Sequence, residues 1–157
     1  MIHKKIFVSK SFDGKGLFAK ESIKKDEFLF IVKGKIRKED KYYEGNYFLE
    51  GPRWLAVGKH KWIIPLRKNP WWFINHSCSP NAGLVGKNKV VAMKNINKNE
   101  EITLDYSITE DDPNWEMKCK CDDKKCRKII KSYRFLPKKL KEKYKNYTPR
   151  WLVNQAN

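Results

Sequence analysis

Short runs of apolar residues recur along the chain, and charged or turn-forming residues separate them. Runs of this length, interrupted by glycine, proline and asparagine, are typical of β-strands joined by tight turns. The pattern predicts strands at residues 6–8, 28–32, 47–49, 54–57, 62–64, 90–93 and 102–106. Frequent short strands of this kind indicate a mainly β domain.

Two charged segments depart from the strand pattern. Residues 35–41 are mostly charged and predict a loop or a short helix. Residues 137–147 begin with a proline, which is favoured in the first turn of a helix, and place Leu140 and Tyr144 four positions apart. The second segment therefore predicts a C-terminal helix packed on the domain.

A Gly-Lys-Gly sequence at residues 14–16 predicts a tight turn with exposed backbone groups, because glycine adopts conformations that other residues avoid. Taken alone, such a sequence is more often an ordinary hairpin turn than a ligand site. No third glycine follows at the spacing of a dinucleotide-binding loop, and no long helix begins here. A dinucleotide-binding fold is therefore not supported.

The densest polar chemistry lies at residues 73–81, which read Phe-Ile-Asn-His-Ser-Cys-Ser-Pro-Asn. Amides, an imidazole, hydroxyls and a thiol follow one another here, and a plain core strand does not need them. An ordinary explanation is a strand end at residues 71–74 followed by a polar turn, since Ser-Pro and Pro-Asn favour turns. On this stretch alone, a functional site and a polar turn both remain open.

The length of 157 residues indicates one domain with room for a small appendage. The charge is strongly basic, with 35 Lys and Arg against 18 Asp and Glu and a formal net charge of +17. Such a charge favours polyanionic partners, namely nucleic acid, an acidic membrane surface or an acidic protein. The alternative is a lysine-rich surface that is simply solvated.

No run of 18 apolar residues is present, so no membrane span is predicted. The N-terminal residues lack the apolar stretch of a secretory signal. We therefore expect an intracellular protein of the cytoplasm, nucleoid or nucleus, where disulfides are disfavoured.

Four cysteines need an explanation, and three of them form a Cys-x-Cys-x4-Cys motif at Cys119, Cys121 and Cys126. Two disulfides are one possibility, although the expected compartment argues against them. A zinc ion held by these three thiolates and Cys78 is the sharper interpretation, because four sulfurs complete a tetrahedron and leave no open position for water. Such a structural site would pin the C-terminal segment onto the turn that holds Asn75 and His76.

Four motifs occur in a fixed order, at residues 14–19, 75–81, 100–106 and 119–126. In this order the chain resembles a SET-domain protein-lysine methyltransferase with a post-SET zinc module. The resemblance runs from about residue 7 to residue 126, and the tail is similar to that of small stand-alone microbial SET proteins. It implies a SET fold of several small twisted sheets around a pseudoknot, with Asn75-His76 and Asp105-Tyr106 as the crossing strands.

The resemblance also implies a division of the chain and a role for each motif residue. Residues 1–112 would form the SET domain, residues 113–133 the post-SET zinc module, and residues 134–157 a helical tail packed on the domain. Tyr106 would be the catalytic residue. The residues that would bind S-adenosylmethionine are Gly14, Lys15, Gly16, Asn75, His76, Tyr106 and Lys120.

Within that site, the resemblance assigns backbone groups of the glycine segment to the methionine end of the cofactor. The side-chain amide of Asn75 would hold the cofactor's amino group, His76 would contact the adenine through its backbone, and Lys120 would lie in the segment that closes over the cofactor. The family often has a second channel tyrosine where this chain has Val32, and Tyr43 or Tyr47 is a candidate substitute.

Methyl transfer to lysine suits a dry, narrow channel. The attacking amine must be neutral although its reference pKa is about 10.4. Burial next to a sulfonium charge disfavours the ammonium form, so no strong general base is required. A tyrosine hydroxyl can orient the amine, and aromatic faces tolerate the cationic product. We interpret Glu100 and Glu101, on a predicted turn, as solvated charges rather than an acid/base pair.

The leading hypothesis is thus S-adenosylmethionine-dependent methylation of a lysine in a protein substrate, with a histone or other chromatin protein as the candidate. Glu110, Asp111 and Asp112 are candidate acidic contacts for such a basic substrate. The alternative is a basic, zinc-stabilised module that binds nucleic acid or chromatin and has a vestigial cofactor site, as the net charge of +17 and the lysine-rich residues 118–150 suggest. The expected partners are the substrate protein and nucleic acid, with no membrane partner.

Overall fold

The structure is a computed structural model that describes residues 4–12, 14–41 and 53–155. Its strands are β1 (Ile6–Ser11), β2 (Gly14–Ala19), β3 (Phe28–Ile31), β4 (Gly34–Lys38), β5 (Leu55–Gly58), β6 (Lys61–Pro65), β7 (Asn75–His76), β8 (Ala82–Val85), β9 (Lys89–Ala92), β10 (Glu101–Leu104), β11 (Glu116–Lys118) and β12 (Ile129–Lys131). Two short α-helices follow, α1 (Lys138–Tyr144) and α2 (Arg150–Gln155). The predicted mainly β fold with a C-terminal helix is confirmed.

The strands form separate small sheets, as predicted for the SET fold. The largest has the order β1-β2-β10-β8-β9-β3, and β7 pairs with β10 beside this path. A second sheet has the order β4-β6-β5, and β11 pairs with β12 in a third. In β10 the buried residues Ile102 and Leu104 alternate with more accessible ones, because successive side chains of a strand point to opposite faces.

The pairing of β7 with β10 brings distant parts of the chain together. The two strands are parallel, with Asn75 opposite Thr103 and His76 opposite Leu104. The backbone N–H of Ser77 extends the pairing by donating to the Leu104 carbonyl at 3.0 Å. Asn75-His76 was predicted to cross Asp105-Tyr106, and the structure instead pairs it with Thr103-Leu104, directly before those residues. Tyr106 itself begins a 3₁₀ turn, so the strand predicted through it ends at Leu104.

Several local predictions were wrong. The glycine segment at residues 14–16 begins β2 instead of forming a turn, and it pairs with β1 from Ser11 opposite Gly14. The segment predicted as a loop or short helix contains β4, a mostly exposed edge strand that pairs with β6. Residues 71–74 are largely a 3₁₀ turn, Pro70–Phe73, rather than a strand end. The strand predicted at residues 47–49 and the candidates Tyr43 and Tyr47 lie outside the described residues.

The C-terminal tail is part of the packing. Tyr144 of α1 and Leu152 of α2 are buried in the main core together with residues of the largest sheet. Trp151 packs against a second cluster formed by Trp54, Ala56 and Trp62. Neither helix in the described part of the chain has the length and apolar character needed to cross a membrane.

Candidate cofactor site and cysteine cluster

The glycine segment and Asn75 meet at the edge of the largest sheet. The side-chain Nδ2 of Asn75 donates to the Lys15 carbonyl at 3.1 Å. Gly14 has a φ of +84°, a conformation that favours glycine, and an added Cβ there would meet open space. At Gly16 an added Cβ would lie 2.3 Å from Oε1 of Glu101 and 2.9 Å from Cβ of Ser11, so a side chain there would displace the Glu101 carboxylate. Three of the predicted cofactor residues and Asn75 are thus assembled.

Glu101 is a site residue that sequence reasoning missed. Its Oε1 accepts a hydrogen bond from Asn75 Nδ2 at 2.8 Å, and Ser11 Oγ lies 2.8 Å from both of its carboxylate oxygens. Its neighbour Glu100 accepts from Asn81 Nδ2 at 3.0 Å. The interpretation of both residues as solvated charges was wrong, since each side chain is bonded to a polar residue of another segment.

Tyr106 lies next to the same strand pair. Its hydroxyl donates to the Ile74 carbonyl at 2.8 Å, and its backbone N–H donates to Nδ1 of His76 at 3.1 Å. The rings of Tyr106 and His76 meet edge to face, with centroids 5.4 Å apart. A small cavity adjoins the tyrosine, and its lining residues are Arg53, Trp54, Trp71, Ile74, Tyr106 and Thr109. Trp54, Trp71 and Tyr106 give the cavity aromatic walls, and Arg53 adds a positive charge.

His76 links the tyrosine to the cysteines. Because Nδ1 accepts the N–H of Tyr106, the neutral ring carries its proton on Nε2. Nε2 lies 3.5 Å from Cys78 Sγ, so the ring donates toward that sulfur. Burial, and then the nearby charge of Arg127, lower the pKa of His76 to about 4, although Asp105 raises it. The ring is therefore neutral at pH 7.

Three of the four predicted zinc ligands come together in space, and His76 lies with them. Cys78 Sγ lies 3.8 Å from Cys119 Sγ, and the ligand atoms of His76, Cys78, Cys119 and Cys121 all lie within 4.8 Å of one another. The thiol of Cys126 lies outside that group of four but interacts with the thiols of both Cys119 and Cys121. The two segments that carry the cysteines thus converge beside His76.

Backbone N–H groups point at all four sulfurs. Arg127 donates to Cys78 at 3.3 Å, Cys121 to Cys119 at 3.4 Å, and Lys128 to Cys126 at 3.4 Å. Burial raises the pKa of the Cys78 and Cys119 thiols, whereas at Cys121 burial is outweighed by the backbone bonds from Cys78 and Asp123, which lower the pKa to about 7. Hydrogen bonds of this kind stabilise thiolates, the form that binds a metal. The donor set therefore fits a zinc ion.

Arg127 is a second residue that sequence reasoning missed. It follows Cys126 directly, and its guanidinium bonds to the buried carboxylate of Asp105 at 2.6 Å and to Ser107 Oγ at 3.2 Å. Asp105 precedes Tyr106, so this pair ties the cysteine segment to the tyrosine. The sequence signal was position alone: Arg127 directly follows the cysteine motif, and Asp105 lies inside the motif at residues 100–106.

The remaining residues singled out from the sequence take no part in the contacts described above. Lys120 is exposed between two cysteines, and its closure over the cofactor stays a prediction. Val32 is fully buried in the core. Glu110, Asp111 and Asp112 are buried, so the suggested acidic contact surface was wrong. Glu110 accepts from the Trp62 indole N–H at 2.8 Å, and Asp111 pairs with Arg134 at 2.9 Å.

The ordered motifs, the sheet arrangement and this site together define a SET domain. A family profile described as SET domain matches residues 14–107, more than half of the chain. The chain therefore belongs to the SET domain family, and the resemblance seen in its motifs is confirmed. The profile ends before the cysteine motif, so the post-SET zinc module rests on the cysteine geometry.

Named relatives agree with this family. The chain is 35% identical over 127 residues to human histone-lysine N-methyltransferase SETD1B, a match that covers 71% of the chain and 6% of the relative. It is 28% identical over 134 residues to human histone-lysine N-methyltransferase 2B, covering 74% of the chain and 5% of the relative. The chain thus spans only a small part of the curated relatives it matches.

Solved structures give the same fold. A crystal structure from Plasmodium falciparum, described as a histone methyltransferase, aligns with a TM-score of 0.50 and 30% identity, covering 65% of this chain and 96% of that one. A chain of a Chaetomium thermophilum Polycomb Repressive Complex 2 aligns with a TM-score of 0.56 and 23% identity, covering 68% of this chain and 15% of that one. The second likeness shows the fold alone.

Proposed function

We propose that the chain transfers methyl groups from S-adenosylmethionine to the side-chain amine of a lysine in a protein, with a histone or other chromatin protein as the substrate. The observation that carries this proposal is the parallel pairing of β7 with β10. It puts Asn75, which is bonded to the glycine segment, one residue from His76, which holds the backbone of Tyr106. The motif proposed to bind the cofactor and the motif that leads into Tyr106 therefore lie on the two paired strands β7 and β10.

In this proposal S-adenosylmethionine lies against Gly14, Lys15, Gly16, Asn75 and His76 and supplies an electrophilic methyl group. The residues fit it, because Asn75 offers a fixed amide and the open side of Gly14 leaves room for a ligand. Lys120 would close over the bound cofactor.

Tyr106 orients the lysine amine. Its hydroxyl donates to the Ile74 carbonyl at 2.8 Å, which fixes the position of the oxygen, and a hydroxyl oxygen can accept a hydrogen bond from the amine. The adjacent cavity is lined by Trp54, Trp71 and Arg53, and partial burial beside a positive charge disfavours the ammonium form of the nucleophile. The aromatic walls of the cavity tolerate the methylated cation after transfer.

We propose that one structural zinc ion is bound by Cys78, Cys119, Cys121 and Cys126. The tautomer of His76 supports this set over one that contains the ring, since a protonated Nε2 is a donor to Cys78 and not a metal ligand. A four-sulfur site holds the post-SET segment, residues 113–133, against the turn that follows β7.

A methylation assay with purified core histones and isotope-labelled S-adenosylmethionine tests the function. We expect label on lysine, located by mass spectrometry of digested histones. The alternative module predicts no transfer and no binding of S-adenosylhomocysteine. If both are absent while DNA binds tightly, the enzymatic proposal is wrong.

We also propose that nucleic acid binds the basic surface of α1, where Lys138, Lys139 and Lys143 are exposed. Neutralising phosphates releases counterions, so the affinity should fall steeply with salt. Lys138→Glu combined with Lys139→Glu should weaken DNA binding at every sequence tested and reduce the slope of log K against log salt. An unchanged slope would exclude α1 as the contact.

A further inference from the structure

The orientation of the Asn75 amide is determined by its neighbours. Its Nδ2 faces the Lys15 carbonyl at 3.1 Å and Oε1 of Glu101 at 2.8 Å. A carbonyl and a carboxylate are both acceptors, so the nitrogen and not the oxygen of the amide must face them. The two bonds use both protons of the nitrogen. The side-chain oxygen of Asn75 is therefore the atom left to meet a ligand.

Glu101 is built into this arrangement from several strands. It lies on β10, Asn75 lies on β7, and Ser11 on β1 holds both carboxylate oxygens at 2.8 Å. On β2, Gly16 leaves room for the carboxylate, because an added Cβ would lie 2.3 Å from Oε1. The Glu101 carboxylate is thus held in hydrogen-bond contact with both the Asn75 amide and the Ser11 hydroxyl.

We propose that Glu101 is a positioning residue of the cofactor site, which fixes the Asn75 amide so that its oxygen accepts from the ammonium of S-adenosylmethionine. This inference rests on the proposed use of that cofactor. An ammonium has three donors and no acceptor, so it needs an oxygen and is repelled by an amide nitrogen. Glu101 also adds negative charge next to the ammonium, and its bond to Nδ2 polarises the amide toward a stronger acceptor.

The test compares two ligands on the full chain by isothermal titration calorimetry. S-adenosylhomocysteine carries the ammonium, and its deamino analogue lacks only that group. Glu101→Ala should weaken binding of S-adenosylhomocysteine by about tenfold to a hundredfold, the range for a lost hydrogen bond to a charged group. Binding of the deamino analogue should stay unchanged, because it makes no use of the amide oxygen.

Three variants keep the result interpretable. Glu101→Gln retains an acceptor for Asn75 with nearly the same shape. Its affinity for S-adenosylhomocysteine should therefore lie between those of the wild type and Glu101→Ala. Glu100→Gln is the matched control, since Glu100 bonds to Asn81 and not to Asn75, and the affinity ratio of the two ligands should not change. In an Asn75→Ala background, Glu101→Ala should add little, because the two residues act as one unit.

Equal losses for both ligands in Glu101→Ala and Glu101→Gln would show a general structural role and overturn the inference. No loss for either ligand would also overturn it. A wild-type chain that binds neither ligand would instead overturn the proposed function, and this inference with it. Circular dichroism of each variant identifies any that fails to fold, and Glu101→Gln then supplies the comparison.

Discussion

The guanidinium of Arg127 donates to Oδ1 of Asp105 at 2.6 Å, across 22 residues of sequence. Asp105 is fully buried, and the Arg127 side chain is 17% exposed. One residue precedes the proposed catalytic Tyr106, and the other follows the last cysteine of the motif. This ion pair therefore connects the cysteine cluster with the tyrosine through side chains, in addition to any metal.

Arg127→Ala should destabilise the fold by about 3–5 kcal/mol, because it leaves a buried carboxylate without its counter-charge. Unfolding in urea at saturating zinc, followed by circular dichroism, measures this loss. Zinc content should stay at one ion per chain, since the backbone N–H of Arg127, which donates to Cys78 at 3.3 Å, persists in the variant although the side-chain contact with Cys78 is lost.

Arg127→Lys is the matched control for charge. A lysine keeps the positive charge but lacks the fork that reaches both Asp105 and Ser107, so its loss should be smaller than that of Arg127→Ala. A loss in Arg127→Ala below about 1 kcal/mol, the range of exposed pairs, would show that Asp105 does not depend on this partner.

Zinc binding separates the two possible ligand sets. Cys126→Ser should remove a ligand and abolish stoichiometric zinc in native mass spectrometry. His76→Gln should lower zinc affinity by about tenfold to a hundredfold at most, as expected for a group that only bonds to a ligand. The reverse outcome would assign His76 instead of Cys126.

A chelator should loosen the C-terminal segment and weaken the binding of S-adenosylhomocysteine. The cysteines provide a direct check on the premise of this prediction. If all four thiols react freely with a thiol reagent before any chelator is added, zinc does not bind here.

Much of this site was readable in sequence because its motifs are local. The tight spacing of Cys119, Cys121 and Cys126 predicts one cluster, and Asn75 and Tyr106 each lie inside an ordered motif. The roles of Glu101 and Arg127 were not predicted, because their partners Asn75 and Asp105 are distant from them in sequence. A charged residue predicts solvent exposure by default, and only the pairing of strands shows which charges are buried.

The fold was readable to a similar extent. Apolar runs predicted β3, β6 and β9, since each buries at least half of its residues. The lysine-rich β4 was missed because an edge strand needs few buried side chains and gains its hydrogen bonds from β6. The two-residue β7 is too short for any pattern of alternation, and only its pairing with β10 defines it.

Tyr106→Phe should reduce turnover by about a hundredfold, because the amine loses the oxygen that orients it. The dissociation constant for S-adenosylhomocysteine should remain nearly unchanged, since the ring and the backbone bond to His76 persist. Tyr147→Phe is the control, as it removes a hydroxyl that bonds to Asp26 elsewhere in the chain. Unchanged turnover in Tyr106→Phe would contradict the catalytic assignment.

Glu110 should make stability depend on pH. Burial raises the pKa of its carboxyl from 4.5 to about 7, against the bonds from Trp62 and from the backbone of Asp111 and Asp112, which lower it. Between these values the folded chain keeps a proton that the unfolded chain has released. The contribution of Glu110 to the free energy of unfolding is therefore full below pH 4.5, falls as pH rises, and is lost above about pH 7.

Glu110→Gln stays neutral at every pH and isolates this effect. The unfolding free energy of wild type minus that of the variant should fall by about 3 kcal/mol between pH 4 and pH 8, the equivalent of the pKa shift. Glu142→Gln, an exposed carboxylate of α1, should show no such change. A wild-type to Glu110→Gln difference that is constant with pH would mean that Glu110 ionises as readily in the folded chain as in the unfolded one.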